Sequence, residues 1–137
     1  MTSRTFVDTN VFVHAFDADE PTKRDVALSV IRDTPGLVIS TQVLGEFYVA
    51  VTRKLARPLA AAEAAAAVEE MTMLSVVPTD LTLVRSALAT AQMHQLSYWD
   101  ALVVEAAATA SCDRLLTEDL AAGAELRGVR IENPFAA

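Results

Sequence analysis

Cysteine is almost missing from this chain. Cys112 is the only one among 137 residues, so no internal disulfide can form. No cysteine and histidine cluster surrounds it, which excludes a zinc site of the usual ligand spacing. Its plainest role is that of a small apolar residue, and a reduced, cytosolic protein is the simplest expectation. Glycine is scarce as well, with four residues in all. None belongs to a Gly-rich phosphate loop, which counts against nucleoside-triphosphate and dinucleotide enzymes. No apolar run reaches the ~20 residues of a membrane span, because Glu63, Glu69 and Glu105 interrupt the most apolar stretches. Asp8 and Asn10 break the N-terminal apolar segment, so it does not read as a signal peptide. Positive charge is in deficit: 11 Lys and Arg against 18 Asp and Glu give a net charge of -7. Long-range attraction to a phosphate backbone is then unfavourable. A nucleic-acid substrate would need local basic residues, a metal ion or a basic partner, and a general nucleic-acid coat protein does not fit.

What is present suffices for one domain, expected to span 1–137. Hydrophobic residues make up 53% and charged residues 21%, a globular composition. A chain of this size can bury roughly 68–70% of its unfolded surface without staples. No internal repeat or long linker divides it.

The pattern of apolar runs alternates strands with helices. Strands are expected over 5–7, 37–39, 74–77 and 114–116, with a fifth, short edge strand at 129–131. Helices are expected over 10–15, 22–32, 41–55, 59–73, 80–94 and 97–110. Pro35-Gly36, Gly123 and Gly128 mark turns. Such alternation implies an α/β/α sandwich around a parallel sheet of four to five strands.

The stretch from Arg4 to Val13 organises the reading. The apolar run Phe6-Val7 stops abruptly at Asp8. An acid at the end of a buried strand is costly unless its charge is compensated, and open parallel sheets bind ligands at their carboxyl edge. Asp8 is therefore expected to point into a site, although capping the next helix is the competing role. Asp119 follows the fourth strand and belongs on the same edge. Glu46 lies in the helix after the second strand and borders its apolar face. Asp100 lies in the first turn of the helix opened by Ser97, where a capping pattern is the alternative.

Two carboxylates about 4 Å apart repel by ~4 kcal/mol at an effective dielectric of 20. Four acids at one rim either raise their pKa values or hold a cation. Oxygen-only ligands select hard ions, chiefly Mg²⁺ or Mn²⁺, which suit phosphate substrates.

Four segments, taken in order, resemble the PIN-domain ribonucleases, above all the VapC-type toxins of bacterial toxin–antitoxin pairs. They are Val7-Asp8-Thr9-Asn10-Val11, Ser40-Thr41-Gln42-Val43-Leu44-Gly45-Glu46-Phe47, Tyr98-Trp99-Asp100-Ala101-Leu102 and Leu115-Leu116-Thr117-Glu118-Asp119-Leu120. The likeness covers nearly the whole chain. It implies a three-layer α/β/α fold and endonucleolytic cleavage of RNA dependent on Mg²⁺ or Mn²⁺. It also implies a homodimer neutralised by a cognate antitoxin, which should present an apolar helix and a basic side chain that intrudes on the acids. By position, Asp8, Glu46, Asp100 and Asp119 match the family's catalytic acids. Asp8, Asp100 and Asp119 are the metal-directed ones, and Glu46 binds metal-held water or orients the attacking water. Asn10 and Thr117 match supporting polar positions, and Glu118 is expected to be a bystander.

Other residues carry weaker expectations. Arg53, Lys54 and Arg57 form a basic cluster that either complements a helix C-terminus or contacts RNA. Tyr98 and Trp99 could stack a base, but beside an apolar helix face packing is the expectation. His14 and His94 are expected at the surface or rim. Two other functions compete with the nuclease. One is a non-catalytic module that binds RNA or a partner. The other is an aspartate-nucleophile phosphatase built on Asp8, against which stands Asn10, where such enzymes carry an acid.

Overall fold

A computed structural model of the chain describes residues 3–136. Met1, Thr2 and Ala137, the ends of the expected domain, lie outside the described residues. The elements run β1 (Thr5–Val7), α1 (Thr9–Ala15), α2 (Pro21–Asp33), β2 (Leu37–Ser40), α3 (Thr41–Arg53) and α4 (Ala61–Met71). They continue with β3 (Ser75–Val77), α5 (Leu81–His94), α6 (Tyr98–Thr109), β4 (Arg114–Leu116), β5 (Glu125–Leu126) and β6 (Val129–Glu132).

The sheet has six strands in the order β3-β2-β1-β4-β6-β5. All neighbours are parallel except the β5–β6 pair. Six strands exceed the four to five expected, and the additional one is β5. It is joined to β6 by Arg127-Gly128, both in the left-handed region at φ 54° and 78°, as a two-residue hairpin turn of type I′ requires. Arginine at the first of these positions gives no sequence signal for such a turn.

Both faces of the sheet are covered. Phe6 and Val7, which point to opposite faces of β1, are each fully buried, as expected of parallel strands between helix layers. Helices α1 to α4 pack on one another, α5 packs on α6, and α3 and α6 both reach β2. The three-layer α/β/α arrangement is thus present.

Local chemistry sets the element boundaries. Ser40, Asp80 and Ser97 cap α3, α5 and α6 with side-chain oxygens that accept backbone N–H bonds, which stabilises helix starts. The turn before β2 requires glycine. Gly36 has φ +67°, and a Cβ there would lie 2.2 Å from the Ser3 carbonyl oxygen.

The order of strands places the functional edge. β1 leads to β2 on one side, and β4 lies on the other. The carboxyl ends of β1 and β4 therefore flank the point where strand order reverses, which is where open α/β sheets form a crevice.

Candidate active site

The sheet ladder runs one residue past β1. The Asp8 N–H donates to the Leu116 carbonyl at 3.0 Å, which aligns Asp8 beside Thr117. Asp8 is only 7% exposed. Its Oδ1 accepts the Thr9 N–H at 2.7 Å, and its Oδ2 accepts the Thr117 hydroxyl at 2.8 Å. Asp8 thus caps α1 and is also a buried carboxylate at the carboxyl end of β1.

Thr117 is fully buried and acts as a hub. Its hydroxyl oxygen also accepts the Asp119 N–H at 3.1 Å and the Asn10 Nδ2 at 3.2 Å. Asn10 Nδ2 further donates to Asp119 Oδ2 at 3.0 Å and faces Asp8 Oδ2 at 3.5 Å. Three acceptors around one nitrogen fix the amide's orientation. They leave Asn10 Oδ1 buried without a protein partner.

Glu46 reaches the same rim from α3. Its Oε1 accepts the Thr9 hydroxyl at 2.8 Å, and its Oε2 accepts Gln42 Nε2 at 3.3 Å. The electrostatics follow from this placement. Burial, foremost, pushes the Asp8 carboxyl up from 3.8 to about 6; the bonds from Thr117 and Thr9 pull it down, and the charges of Asp119 and Glu46 raise it further. Among the described residues, no lysine, arginine or histidine pairs with Asp8, Glu46, Asp100 or Asp119.

Asp100 stands slightly apart. It occupies the first turn of α6, half-buried, with its N–H bonded to Ser97 Oγ at 3.1 Å. Gln42 connects the same helix turn to Glu46: its Nε2 lies 3.4 Å from the Trp99 carbonyl and 3.3 Å from Glu46 Oε2. The structure therefore joins Asp8, Asn10, Thr117 and Asp119 in one network. It adds Glu46 through Thr9 and places Asp100 on an adjoining helix turn. Among the described residues, no three His, Cys, Asp or Glu side chains stand close enough together to hold a metal ion. Like charges keep apart, and here each carboxylate of the network leans on a neutral donor instead. The donor chemistry nonetheless fits a hard cation. All the groups are oxygens, one carboxylate is buried with a raised pKa, and Asn10 Oδ1 has no partner.

The basic cluster separates into three different residues. Lys54 lines a cavity of about 690 Å³ together with Asn10, His14, Glu46 and Asp119. Arg57 turns away to Asp19 at 3.4 Å. Arg53 sits exposed in the last turn of α3.

Two neighbouring residues stand as follows. Glu118, expected as a bystander to the chemistry, has a structural part: it accepts from His14 Nε2 at 2.7 Å and from Lys23 Nζ at 3.2 Å. Burial alone would raise its carboxyl, but the bonds and charges of His14 and Lys23 outweigh that and hold it below the usual range. The pair ties α1 and α2 to the segment that carries Asp119. His14 lies four residues after Asn10 and so shares its helix face. Trp99 is not packed away: it is 61% exposed. It faces solvent because α6 buries Ala101 to Ala107 and leaves its first turn at the surface.

Residues 5–122 match the family described as the PIN domain. No curated protein matches the chain. Among solved structures, the chain is similar to a toxin–antitoxin complex from Klebsiella pneumoniae, with 18% identity over 98% of this chain and 100% of that one and a TM-score of 0.73. It is also similar to the Mycobacterium tuberculosis sarcin–ricin loop cleaving toxin VapC20, with 19% identity over 81% and 86% and a TM-score of 0.66. DNA-bound VapBC from Salmonella typhimurium gives 19% identity over 97% and 99% and a TM-score of 0.66.

Proposed function

The chain belongs to the PIN-domain family, and from that premise we propose that it is an endoribonuclease, the toxin of a toxin–antitoxin pair. The observation that carries the reading is Asp8. It is a carboxylate buried at the reversal point of the sheet, pushed up to about 6, with Asp119 and Glu46 nearby and no basic partner. Beyond capping α1, such a group suits a site to which a cation or a proton comes.

The proposed catalytic residues are Asp8, Glu46, Asp100 and Asp119, with Asp8, Asp100 and Asp119 as the acids that would hold Mg²⁺ or Mn²⁺. When bound, the ion would neutralise the phosphodiester's charge and make water a better nucleophile. The chain's own residues do the rest. Thr117 and Thr9 hold the Asp8 carboxylate at fixed angles, which pre-organises it. Asn10 keeps Asp119 beside Asp8. Glu46, exposed and bonded through both oxygens to neutral donors, is placed to accept a proton from an attacking water and to aim it. Lys54 on the cavity wall supplies the local positive charge that an acidic chain needs to receive a phosphate backbone.

The partner is a cognate antitoxin with an apolar helix and a basic side chain directed at the acids, and the toxin itself is a homodimer. An apolar groove of about 260 Å³ between α1, α2 and α4, lined by Phe12, Phe16, Leu28, Ile31 and Met71, supports an apolar helix as occupant. Co-purification with the product of the neighbouring gene tests the pairing.

The test of the enzyme is direct. Purified protein should cut RNA with Mg²⁺ or Mn²⁺, and Asp8→Asn and Asp100→Asn should abolish cutting while remaining folded. RNA left intact by the wild type would instead favour a binding module. A trapped phospho-aspartate would favour the phosphatase, whose nucleophile here has both oxygens already engaged.

A further inference from the structure

We propose that Trp99 forms the wall of a nucleobase subsite, against which the base of a nucleotide adjoining the cleaved bond stacks; this rests on the ribonuclease reading and specifies its substrate as unpaired RNA. Trp99 is 61% exposed. Tyr98 braces it edge to face, with ring centroids 4.9 Å apart and planes at 74°. The pair opens onto a cavity of about 500 Å³ that also contains Thr41, Gln42, Gly45 and Thr79. A large aromatic held by its neighbour, yet left in water, has lost the burial that would explain it as packing.

The cavity is continuous with the candidate active site. Gly45 and Glu46 line both it and the acid-lined cavity. Among the described residues other than its chain neighbours and its own helix backbone, nothing lies within 4 Å of where a Gly45 Cβ would stand, so the ridge between the two cavities is low at Gly45, with the Glu46 side chain beside it. A nucleotide strand over the acids can cross that ridge and place its next base on the indole. The register is fixed covalently, because Trp99 immediately precedes Asp100.

The surroundings suit a base better than a wholly apolar group. Thr41 and Thr79 bring hydroxyls 3.0 Å from each other to the margin, and Gln42 brings its amide. A base offers a π-face to the indole and donors and acceptors to such a rim. Duplex RNA hides its base faces, so a platform of this kind serves single strands, loops or ends.

Trp99 is the only tryptophan, so the intrinsic fluorescence of the full chain reports on it alone. A short single-stranded oligoribonucleotide in chelator, where nothing is cut, should quench that fluorescence saturably; the same sequence as a duplex should not. Trp99→Ala should bind the single strand about five- to 150-fold more weakly and lose base preference at one position beside the mapped RNA ends. Trp99→Phe should restore both, which a merely structural role would not require. Absence of quenching, with identical ends from wild type and Trp99→Ala, would overturn the subsite and leave the ribonuclease standing. RNA that no preparation cuts would overturn the ribonuclease and, with it, the subsite's place beside a cleaved bond, even if it quenches. Emission that shifts with protein concentration alone, and dimers lost in Trp99→Ala and Trp99→Phe, would overturn the subsite by assigning this face to a second copy of the chain.

Discussion

Replacing Asp8 by asparagine should change how stability depends on pH, and the structure sets the size of the effect. The folded chain holds the Asp8 proton to about 6, whereas an exposed aspartate releases it near 3.8. Between those values the folded state binds more protons than the unfolded state. Stability contributed at this site is therefore highest below about 4, falls as pH rises through the window, and is level above about 6. The full fall is about 3 kcal/mol. Asp8→Asn removes it. The substitution also weakens the contact with Thr117, whose hydroxyl already accepts from Asn10 and Asp119, so the two proteins need not match in absolute stability. That loss does not titrate. The difference between variant and wild type should thus move by about 2.5 kcal/mol in the variant's favour from pH 4 to pH 7.5, or roughly 8 °C in relative melting temperature for a chain of this length. Thermal or urea denaturation in chelator at five or six pH values measures it. Parallel curves for the two proteins would refute the claim that Asp8 is a buried carboxylate ionised at a cost to the fold.

Other outcomes follow from the same geometry. Millimolar Mg²⁺ or Mn²⁺ should raise the melting temperature by binding the folded state. The rise should shrink as pH falls below 6, because protons compete for Asp8; a rise that is equal at pH 5 and pH 8 would exclude Asp8 from the ion's ligands. Lys54→Ala should weaken RNA binding and reduce the salt slope by about 0.7, one phosphate contact on a single strand. Arg57→Ala, paired with Asp19, should leave the slope unchanged. Arg127→Ala should destabilise the fold by about 2–3 kcal/mol in urea denaturation: it strands the buried Glu105, bonded at 3.0 Å, with the penalty discounted from about 3–5 because Arg127 is half-exposed.

The sequence was most legible where a strand ends in a charge. Phe6-Val7 before Asp8, and Leu115-Leu116 before Thr117 and Asp119, are apolar runs cut off by polar residues, and parallel pairing sets their ends side by side. The order of elements followed from the same runs, and helix starts at Ser40, Asp80 and Ser97 carried their capping oxygens openly. What was not legible depended on contacts distant in sequence or on backbone geometry. Glu118 meets His14 and Lys23 across 104 and 95 residues, which no local pattern encodes. β5 is two residues long and hangs on a positive φ at an arginine. Trp99 was misjudged because α6 is apolar on nearly every side, so its sequence lacks the polar face that would show which way the first turn looks.

Among the described residues, no helix is long and apolar enough to cross a membrane. As proposed, the crevice at the sheet's carboxyl edge gathers oxygen ligands for a divalent ion. Anomalous scattering from crystals grown in Mn²⁺ should show a manganese peak bordered by Asp8 and Asp119, with Glu46 and Asp100 facing it, and no such peak in Asp8→Asn crystals. A peak that persists in Asp8→Asn, or crystals that bind manganese only elsewhere while the protein still cuts RNA, would contradict it.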